Sequence, residues 1–177
     1  TRTTSSAASD VYKRQIYNPS SLSLTKDSGM NPVTPTVQGG DVDSWEIHPT
    51  LPTGLSIDSS TGTISGTPAG TSPISSYTVY ANNTGGSATA VLTIEILEAP
   101  PSSITYVPGS FTLTKGTPLG AVTPTALGDP VDIWSISPTL PLGLVFDTTN
   151  GELSGTPTVV SPLTTYTVTA TNNGGSG

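Results

Sequence analysis

The chain has 177 residues, of which 33% are hydrophobic and only 10% are charged, against about 25% charged in a typical domain. It has no cysteine and one histidine, which excludes a disulfide framework, a thiolate zinc site, a cysteine nucleophile and a histidine-rich metal site. A net charge of −7 argues against nucleic acid as a partner, because Lys and Arg hold the phosphate backbone, and no apolar run approaches the roughly 18 residues of a membrane span.

Residues 1–15 differ in composition from the rest of the chain and follow neither the strand period nor the helix period. They contain Arg2, Lys13 and Arg14, which are three of the five basic residues. We interpret this segment as a disordered arm or a sequence artefact and leave it out of the predicted fold. The alternative is a genuine linker from a preceding domain.

The remainder of the sequence is one unit written twice. Trp45 recurs 89 residues later as Trp134, and the same spacing relates Asp58 to Asp147, with no gap over residues 17–87. A repeat of this length is too long for a solenoid unit of about 20–50 residues, and it fits a small β-sandwich of about 100 residues.

In each unit, alternation of apolar and polar residues predicts short strands, and Phe111 and Leu113 of the second unit repeat the strand of Leu22 and Leu24. The predicted strands of the first unit contain, in chain order, Leu22 and Leu24, residues 33–37, Trp45 and Ile47, Leu55 and Ile57, residues 63–65, Tyr77 to Ala81, and the alternate residues from Ala88 to Ile96. About seven short strands separated by Gly-containing turns are typical of an immunoglobulin-like sandwich. The predicted fold class is therefore all-β.

The repeat sets the domain boundaries. We predict domain 1 at residues 16–97, a Pro-rich linker at residues 98–103 and domain 2 at residues 104–177. Two adjacent prolines in the linker favour an extended, semi-rigid joint.

Domain 2 contains no counterpart of residues 89–97, so it lacks the last strand of the repeat. We expect this to leave unpaired backbone groups and an uncovered apolar face. We also expect the chain to be a fragment of a longer array.

A longer string repeats in both units and carries a family resemblance. Residues 51–68 read LPTGLSIDSSTGTISGTP, and residues 140–157 read LPLGLVFDTTNGELSGTP. Over nearly all of residues 16–177, the chain resembles the Putative Ig domain family and the related dystroglycan-type cadherin-like domains. The resemblance implies tandem immunoglobulin- or cadherin-like sandwiches in a large, often bacterial, secreted or cell-surface protein. It also implies a non-catalytic spacer or adhesion role outside the cell, with neighbouring repeats of the same polypeptide as partners.

Cadherin-like domains commonly bind calcium between modules, which makes Asp41, Asp43, Glu98 and Asp132 candidate calcium ligands. Calcium needs six to eight oxygen ligands, usually from closely spaced carboxylates. This sequence lacks the dense acidic motifs of cadherins, and Asp41 is replaced by Pro130 in the second unit. We favour solvated loop carboxylates, with an interdomain site using Glu98 and Asp132 as the alternative.

Trp45 and Trp134 have two interpretations. They could form a glycan-stacking platform, or each could fill the core of its own sandwich, as such a tryptophan does in immunoglobulin domains. We favour the core, because each tryptophan lies mid-strand and in phase with an isoleucine.

These patterns favour a structural or adhesion spacer over the other classes of function. The alternatives are a carbohydrate-binding accessory module of a secreted hydrolase and a calcium-dependent adhesin, with protein or glycan ligands. His48 is replaced by Ser137 in the second unit, so the repeat contains no duplicated Ser-His-Asp site, and we predict no enzymatic activity.

Overall fold

Short strands and tight turns follow one another along the chain in a computed structural model that describes residues 14–177. Within that range there is no helix, which fits a sequence rich in Thr, Gly and Pro. The chain divides into two units between Leu97 and Glu98. The all-β fold class and the tandem arrangement predicted from the repeat are thereby confirmed.

The first unit contains a four-stranded sheet and two strand pairs. Its strands are β1 (Arg14–Ile16), β2 (Ser21–Thr25), β3 (Thr36–Gln38), β4 (Ser44–His48), β5 (Leu55–Ile57), β6 (Ile64–Gly66), β7 (Ser72–Asn83) and β8 (Gly86–Leu97). The sheet order is β2-β8-β7-β4, while β1 pairs with β3 and β5 pairs with β6. Strand β8 is antiparallel to β7 and parallel to β2, so it has a partner along each edge.

The core of the first unit lies between the large sheet and strands β5 and β6. Val79, Leu92 and Ile94 of the sheet and Ile64 of β6 are almost completely buried. In β8 the alternation continues as predicted, with Leu92, Ile94 and Ile96 buried and the residues between them more exposed. Burial of each such aliphatic side chain contributes roughly 1.5–3 kcal/mol to folding.

Strand β1 changes the predicted start of the first domain. Arg14 and Gln15 lie in this strand, so the predicted arm of residues 1–15 does not reach Gln15, and its residues 1–13 lie outside the described residues. The side-chain amide nitrogen of Gln15 is buried and donates to the backbone oxygens of Val79 (2.6 Å) and Ala88 (2.8 Å). A short polar strand of this kind gives no apolar alternation, which is why the sequence pattern missed it.

The second unit repeats part of this plan with shorter strands. They are β9 (Ser102–Thr105), β10 (Leu119–Val122), β11 (Thr125–Leu127), β12 (Ile133–Ser137), β13 (Leu144–Phe146), β14 (Leu153–Gly155), β15 (Thr167–Asn172) and β16 (Gly175–Ser176). They form sheets in the orders β12-β15-β16 and β10-β14-β13, and β9 pairs with β11.

Two regions that are strands in the first unit are irregular in the second unit. Residues 110–114, the counterpart of β2, are irregular, and β15 begins only at Thr167, although the corresponding β7 begins at Ser72. In the first unit both regions pair with β8. The prediction of a strand at Phe111 and Leu113 is therefore wrong, because alternation alone does not form a strand without a partner for its backbone groups.

Residues 98–103 are part of the second unit and not a free linker, which corrects the predicted boundary. The backbone N–H of Ala99 donates to Asp129 Oδ2 at 2.9 Å, and Asn172 Nδ2 donates to the Ala99 oxygen at 2.9 Å. Pro101 is fully buried, and β9 begins at Ser102. Pro101 thus packs into the domain that follows it, whereas Pro100 is exposed.

Candidate functional site

The two tryptophans are buried, as the core interpretation predicts. Trp45 is 4% exposed in β4 and Trp134 is 5% exposed in β12. Each ring lies against a glycine of the following turn: a methyl group at Gly62 would come within 2.6 Å of Trp45 Cδ2, and one at Gly151 within 2.8 Å of Trp134 Cδ2. An indole covered in this way offers no face to a sugar, so the stacking platform is contradicted.

Two of the predicted calcium ligands occupy matched positions in the two units. Asp43 precedes β4, and its N–H donates to the Asn82 oxygen at 2.8 Å. Asp132 precedes β12, and its N–H donates to the Thr171 oxygen at 2.9 Å. The backbone of these aspartates therefore extends the strand pairing at the end of the sheet, while their carboxylates are at the surface or close to it.

The other two predicted calcium ligands are held by asparagine side chains. The backbone oxygen of Asp41 accepts a hydrogen bond of 3.0 Å from Asn83 Nδ2, and the backbone N–H of Glu98 donates one of 3.0 Å to Asn173 Oδ1. Across residues 14–177, no group of three or more His, Asp or Glu side chains could hold a metal ion. The four candidates are thus not gathered into a coordination shell.

The turn after β5, and its counterpart after β13, is built on one carboxylate. Asp58 Oδ1 accepts from Ser60 Oγ at 2.6 Å and from the Ser60 N–H at 2.8 Å, and these bonds lower the pKa of Asp58 below its usual value. Asp147 makes the same contacts with Thr149, which lower its pKa as well. An exposed carboxylate that stabilises its own turn has a structural role.

An apolar cavity of about 600 Å³ opens in the second unit. Its walls include aromatic and aliphatic side chains from both sides of the unit, among them Tyr106, Phe111, Leu113, Leu144, Tyr166 and Val168. The equivalent residues of the first unit, with the exception of the half-buried Leu24, are buried core residues. This cavity is therefore the part of the second unit's core that is left open.

The exposed fractions of equivalent residues in the two units show which part of the second core is open. Tyr17 and Val79 are 3% and 0% exposed in the first unit, whereas their counterparts Tyr106 and Val168 are only partly buried. Further from the opening the units agree, since Trp134 and Ala170 are as well buried as their counterparts Trp45 and Ala81. The loss of burial is thus confined to the region that β8 covers in the first unit.

Sequence reasoning also missed a buried amide in the second unit. Asn172 is 5% exposed; its Nδ2 donates to the oxygens of Ala99 (2.9 Å) and Pro130 (3.3 Å), and its Oδ1 accepts from the Gly174 N–H (2.9 Å). Its counterpart Asn83 makes a similar turn in a more exposed setting. The repeated Asn-x-Gly spacing marks the turn, but it gives no sign of the bonds to distant backbone.

No helix in residues 14–177 has the length and apolar character needed to cross a membrane. The tryptophans thus belong to the cores of the two units, Asp58 and Asp147 stabilise turns, and the cavity is an open part of the second core.

Comparison with known proteins gives relatives that cover most of this chain. The "Serine-rich adhesin for platelets" of Staphylococcus aureus is 32% identical to the chain over 163 residues, which is 91% of this chain but only 6% of that protein. Among solved structures, extracellular domains 3–5 of Drosophila OTK superpose with a TM-score of 0.54 at 20% identity, covering 93% of this chain and 59% of that one. Human protocadherin-24 EC1-2 gives a TM-score of 0.45 at 13% identity, covering 81% of this chain and 76% of that one.

A family model described as Putative Ig domain matches residues 3–97 and, a second time, residues 100–177. The first match begins within the segment interpreted as an arm, and the two matches follow the two units of the structure. The chain belongs to the Putative Ig domain family, of which it carries two copies in tandem.

Proposed function

We propose that the chain is a pair of non-catalytic spacer modules in a large adhesion protein at the surface of a bacterial cell. The observation that carries this proposal is the duplicated sandwich, in which the tryptophan that recurs in each unit is buried in the interior of that unit. A staphylococcal adhesin aligns with 91% of the residues of this chain, at 32% identity. This similarity supports the surface location and the adhesive context. The chain spans 6% of that relative, so its role is that of one segment among many.

Strand order in the first unit suits a module that carries tension. Strands β2 and β8 lie near its two ends and pair in parallel from Ser21–Thr93 to Thr25–Leu97. A pull on the two ends of the unit first reaches β1; once β1 separates from β3, the pull acts on Ser21 and Leu97, at opposite ends of the β2–β8 pair, and loads its hydrogen bonds together in shear. A spacer between a cell and its target needs this resistance.

The carbohydrate-binding alternative has lost the site on which it depended. It required Trp45 or Trp134 to face solvent, and both side chains are buried. A spacer requires no ligand, and its loops and strand edges are the places where contact with another protein would occur.

The location is tested with antibodies raised against this chain. Labelling of intact cells of the source organism is expected before permeabilisation, and brief protease treatment of those cells should remove it. Labelling that requires permeabilisation would contradict the proposal.

The spacer role is tested by stretching the chain in a single-molecule force experiment. The first unit is expected to unfold at a higher force than the second, because only the first has the β2–β8 pair. Equal forces for the two units would exclude this pair as the load-bearing element. Binding of the chain to a defined glycan or protein with high affinity would favour a ligand-binding module instead.

A further inference from the structure

The outer face of the four-stranded sheet in the first unit carries a patch of three chemically distinctive side chains. Trp45 and Val79 are buried in the core, so the alternate residues of β4 and β7 point outward. These outward residues include Glu46, His48 and Tyr80. Glu46 lies directly opposite Tyr80 across the β4–β7 pair, and His48 lies in the next row of the same face. Side chains that are directly opposite have Cβ atoms about 5 Å apart and diagonal neighbours about 7 Å, so the three residues form one patch.

The second unit shows that the sheet does not need these three residues. Their counterparts there are Ser135, Ser137 and Thr169, and β12 and β15 nevertheless pair in the same register as β4 and β7. The inward residues of the two strands are kept, as Trp134 and Val168 illustrate, while most of the outward ones change. The patch is therefore a property of the first unit that its fold does not require.

The patch combines a negative charge with an aromatic ring. Glu46 is exposed and Tyr80 is half-buried. A carboxylate binds a guanidinium group through two parallel hydrogen bonds, and the face of a tyrosine ring attracts the same cation. The neutral imidazole of His48 can accept a further N–H. In the row of His48, Val91 lies opposite Thr78 and is 60% exposed, so it offers an apolar surface to the methylene stem of an arginine.

We propose that this patch binds an arginine side chain of a protein partner, with the guanidinium group held between the Glu46 carboxylate and the Tyr80 ring. The net charge of −7 on the chain attracts a basic segment of the partner. Arginine fits better than lysine, because its planar group can stack on the ring and bind the carboxylate with two bonds. A partner strand added along the edge of β4 fits less well, since the N–H of Trp45 already donates to the Ser59 oxygen at 2.9 Å. The patch does not depend on whether the chain acts as a spacer.

The test titrates the whole chain with a short capped peptide that carries one arginine among glycines and serines. Amide chemical shifts in β4 and β7 are expected to change and to saturate, while those of the second unit stay constant. A matched peptide carries citrulline, which has the shape of arginine without its charge, and should bind at least about fivefold more weakly. Added salt should weaken binding of the arginine peptide, because the attraction is partly between exposed charges.

Variants that carry the residues of the second unit locate the site. Tyr80→Thr and Glu46→Ser should each weaken binding of the arginine peptide about threefold or more. Glu95→Ser is the control, because it removes one negative charge from the same face about 20 Å further along β8 than Thr89, the neighbour of Tyr80. It should leave binding unchanged. Unaltered shifts of the core amides show that each variant is folded, as the register of the second unit leads us to expect.

Several results would overturn the proposal. They are equal binding of the arginine and citrulline peptides, equal effects of Glu46→Ser and Glu95→Ser, full binding by Tyr80→Thr, and no saturable shift at about 10 mM peptide. A parallel titration uses methyl glucoside. If this neutral sugar binds and its binding is lost in Tyr80→Thr but kept in Glu46→Ser, the patch belongs to a glycan and not to an arginine.

Discussion

The hydroxyl of Tyr17 donates a hydrogen bond of 2.6 Å to the backbone oxygen of Gly62, and Tyr106 makes the same bond, also of 2.6 Å, to Gly151 in the second unit. The bond joins the segment after the first strand to the turn that lies against the tryptophan ring. Burial raises the pKa of both tyrosines above the usual value of 10, because the ionised phenolate is poorly solvated there. In each unit, this hydrogen bond therefore links the segment after the first strand to the turn that covers the buried tryptophan.

Replacement of Tyr17 by Phe tests this link. Tyr17→Phe removes the donor and leaves the buried Gly62 oxygen without it, which should lower the free energy of unfolding of the first unit by about 1–3 kcal/mol. Tyr106→Phe is the matched control and should cost less, because water can reach the half-buried Tyr106 position. Hydrogen exchange followed separately in each unit measures both effects, and a larger loss from Tyr106→Phe would contradict this account.

The same substitution should change the response of the protein to alkaline pH. Because the pKa of Tyr17 is higher in the folded state, its contribution to stability is complete below about pH 10 and is lost as the pH rises further. The wild-type chain should therefore lose stability above that pH more steeply than the Tyr17→Phe variant does.

Gly62 is the position at which an added methyl group should be most damaging. Its φ is +73°, and a Cβ would lie 2.6 Å from Trp45 Cδ2. Gly62→Ala should destabilise the first unit by about 2–5 kcal/mol, from backbone strain together with displacement of the ring. Gly70→Ala is the control, since a methyl there meets nothing within 4 Å, and its effect should stay within about 0.5 kcal/mol. Urea denaturation monitored by tryptophan fluorescence compares the two, and similar midpoints would refute the steric argument.

Asn172 should be more important to its unit than Asn83 is to the first. Asn172→Ala removes a buried amide that bonds to Ala99 and Pro130, so about 2–4 kcal/mol of unfolding free energy should be lost. Asn83→Ala acts at a more exposed turn and should cost about 1 kcal/mol or less. The unfolding midpoint of the affected unit, compared with wild type, measures the loss of stability in each variant. Equal losses would mean that burial of the amide contributes little.

Calcium should have little effect on the thermal stability of the chain. The carboxylates of Asp41, Asp43, Glu98 and Asp132 belong to no group of three or more possible ligands among residues 14–177. Calcium binding needs several oxygen ligands in close array. Melting temperatures in millimolar calcium and in chelator should therefore agree, and a rise of several degrees with calcium would restore the calcium-dependent adhesin as a candidate.

What the sequence predicted well was the repeated core. Strict alternation from Ala88 to Ile96 and the recurrence of Trp45 at Trp134 both reflect burial between sheets, which depends on the side chains themselves. The failures concern features that depend on distant partners. Alternation at Phe111 and Leu113 does not form a strand when its neighbour is missing.

Polar side chains that bond to remote backbone were also invisible in the sequence. Gln15 reaches Val79 and Ala88, more than sixty positions away along the chain. No local sequence pattern predicts such a contact, because any surface strand or turn can contain Gln or Asn. The acidic residues were equally ambiguous, since a spacing that suits calcium also suits solvated loops, and only the folded chain distinguishes them.

The turn aspartates give the protein a predictable response to acid. The pKa of Asp58 is lowered by its hydrogen bond from the Ser60 hydroxyl and by those from the Ser60 and Thr61 backbone, and that of Asp147 by the corresponding bonds from Thr149. Their folded-state pKa values lie below the unfolded value of about 4, so the unfolded chain binds protons more readily. The stability that these carboxylates supply is therefore present above about pH 4 and is lost as the pH falls through their folded pKa values. In a series of melting curves from pH 7 to pH 2, a variant with both Asp58→Asn and Asp147→Asn should show a shallower acid decline than the wild type. If the double variant keeps the wild-type slope, the turn carboxylates do not govern acid stability.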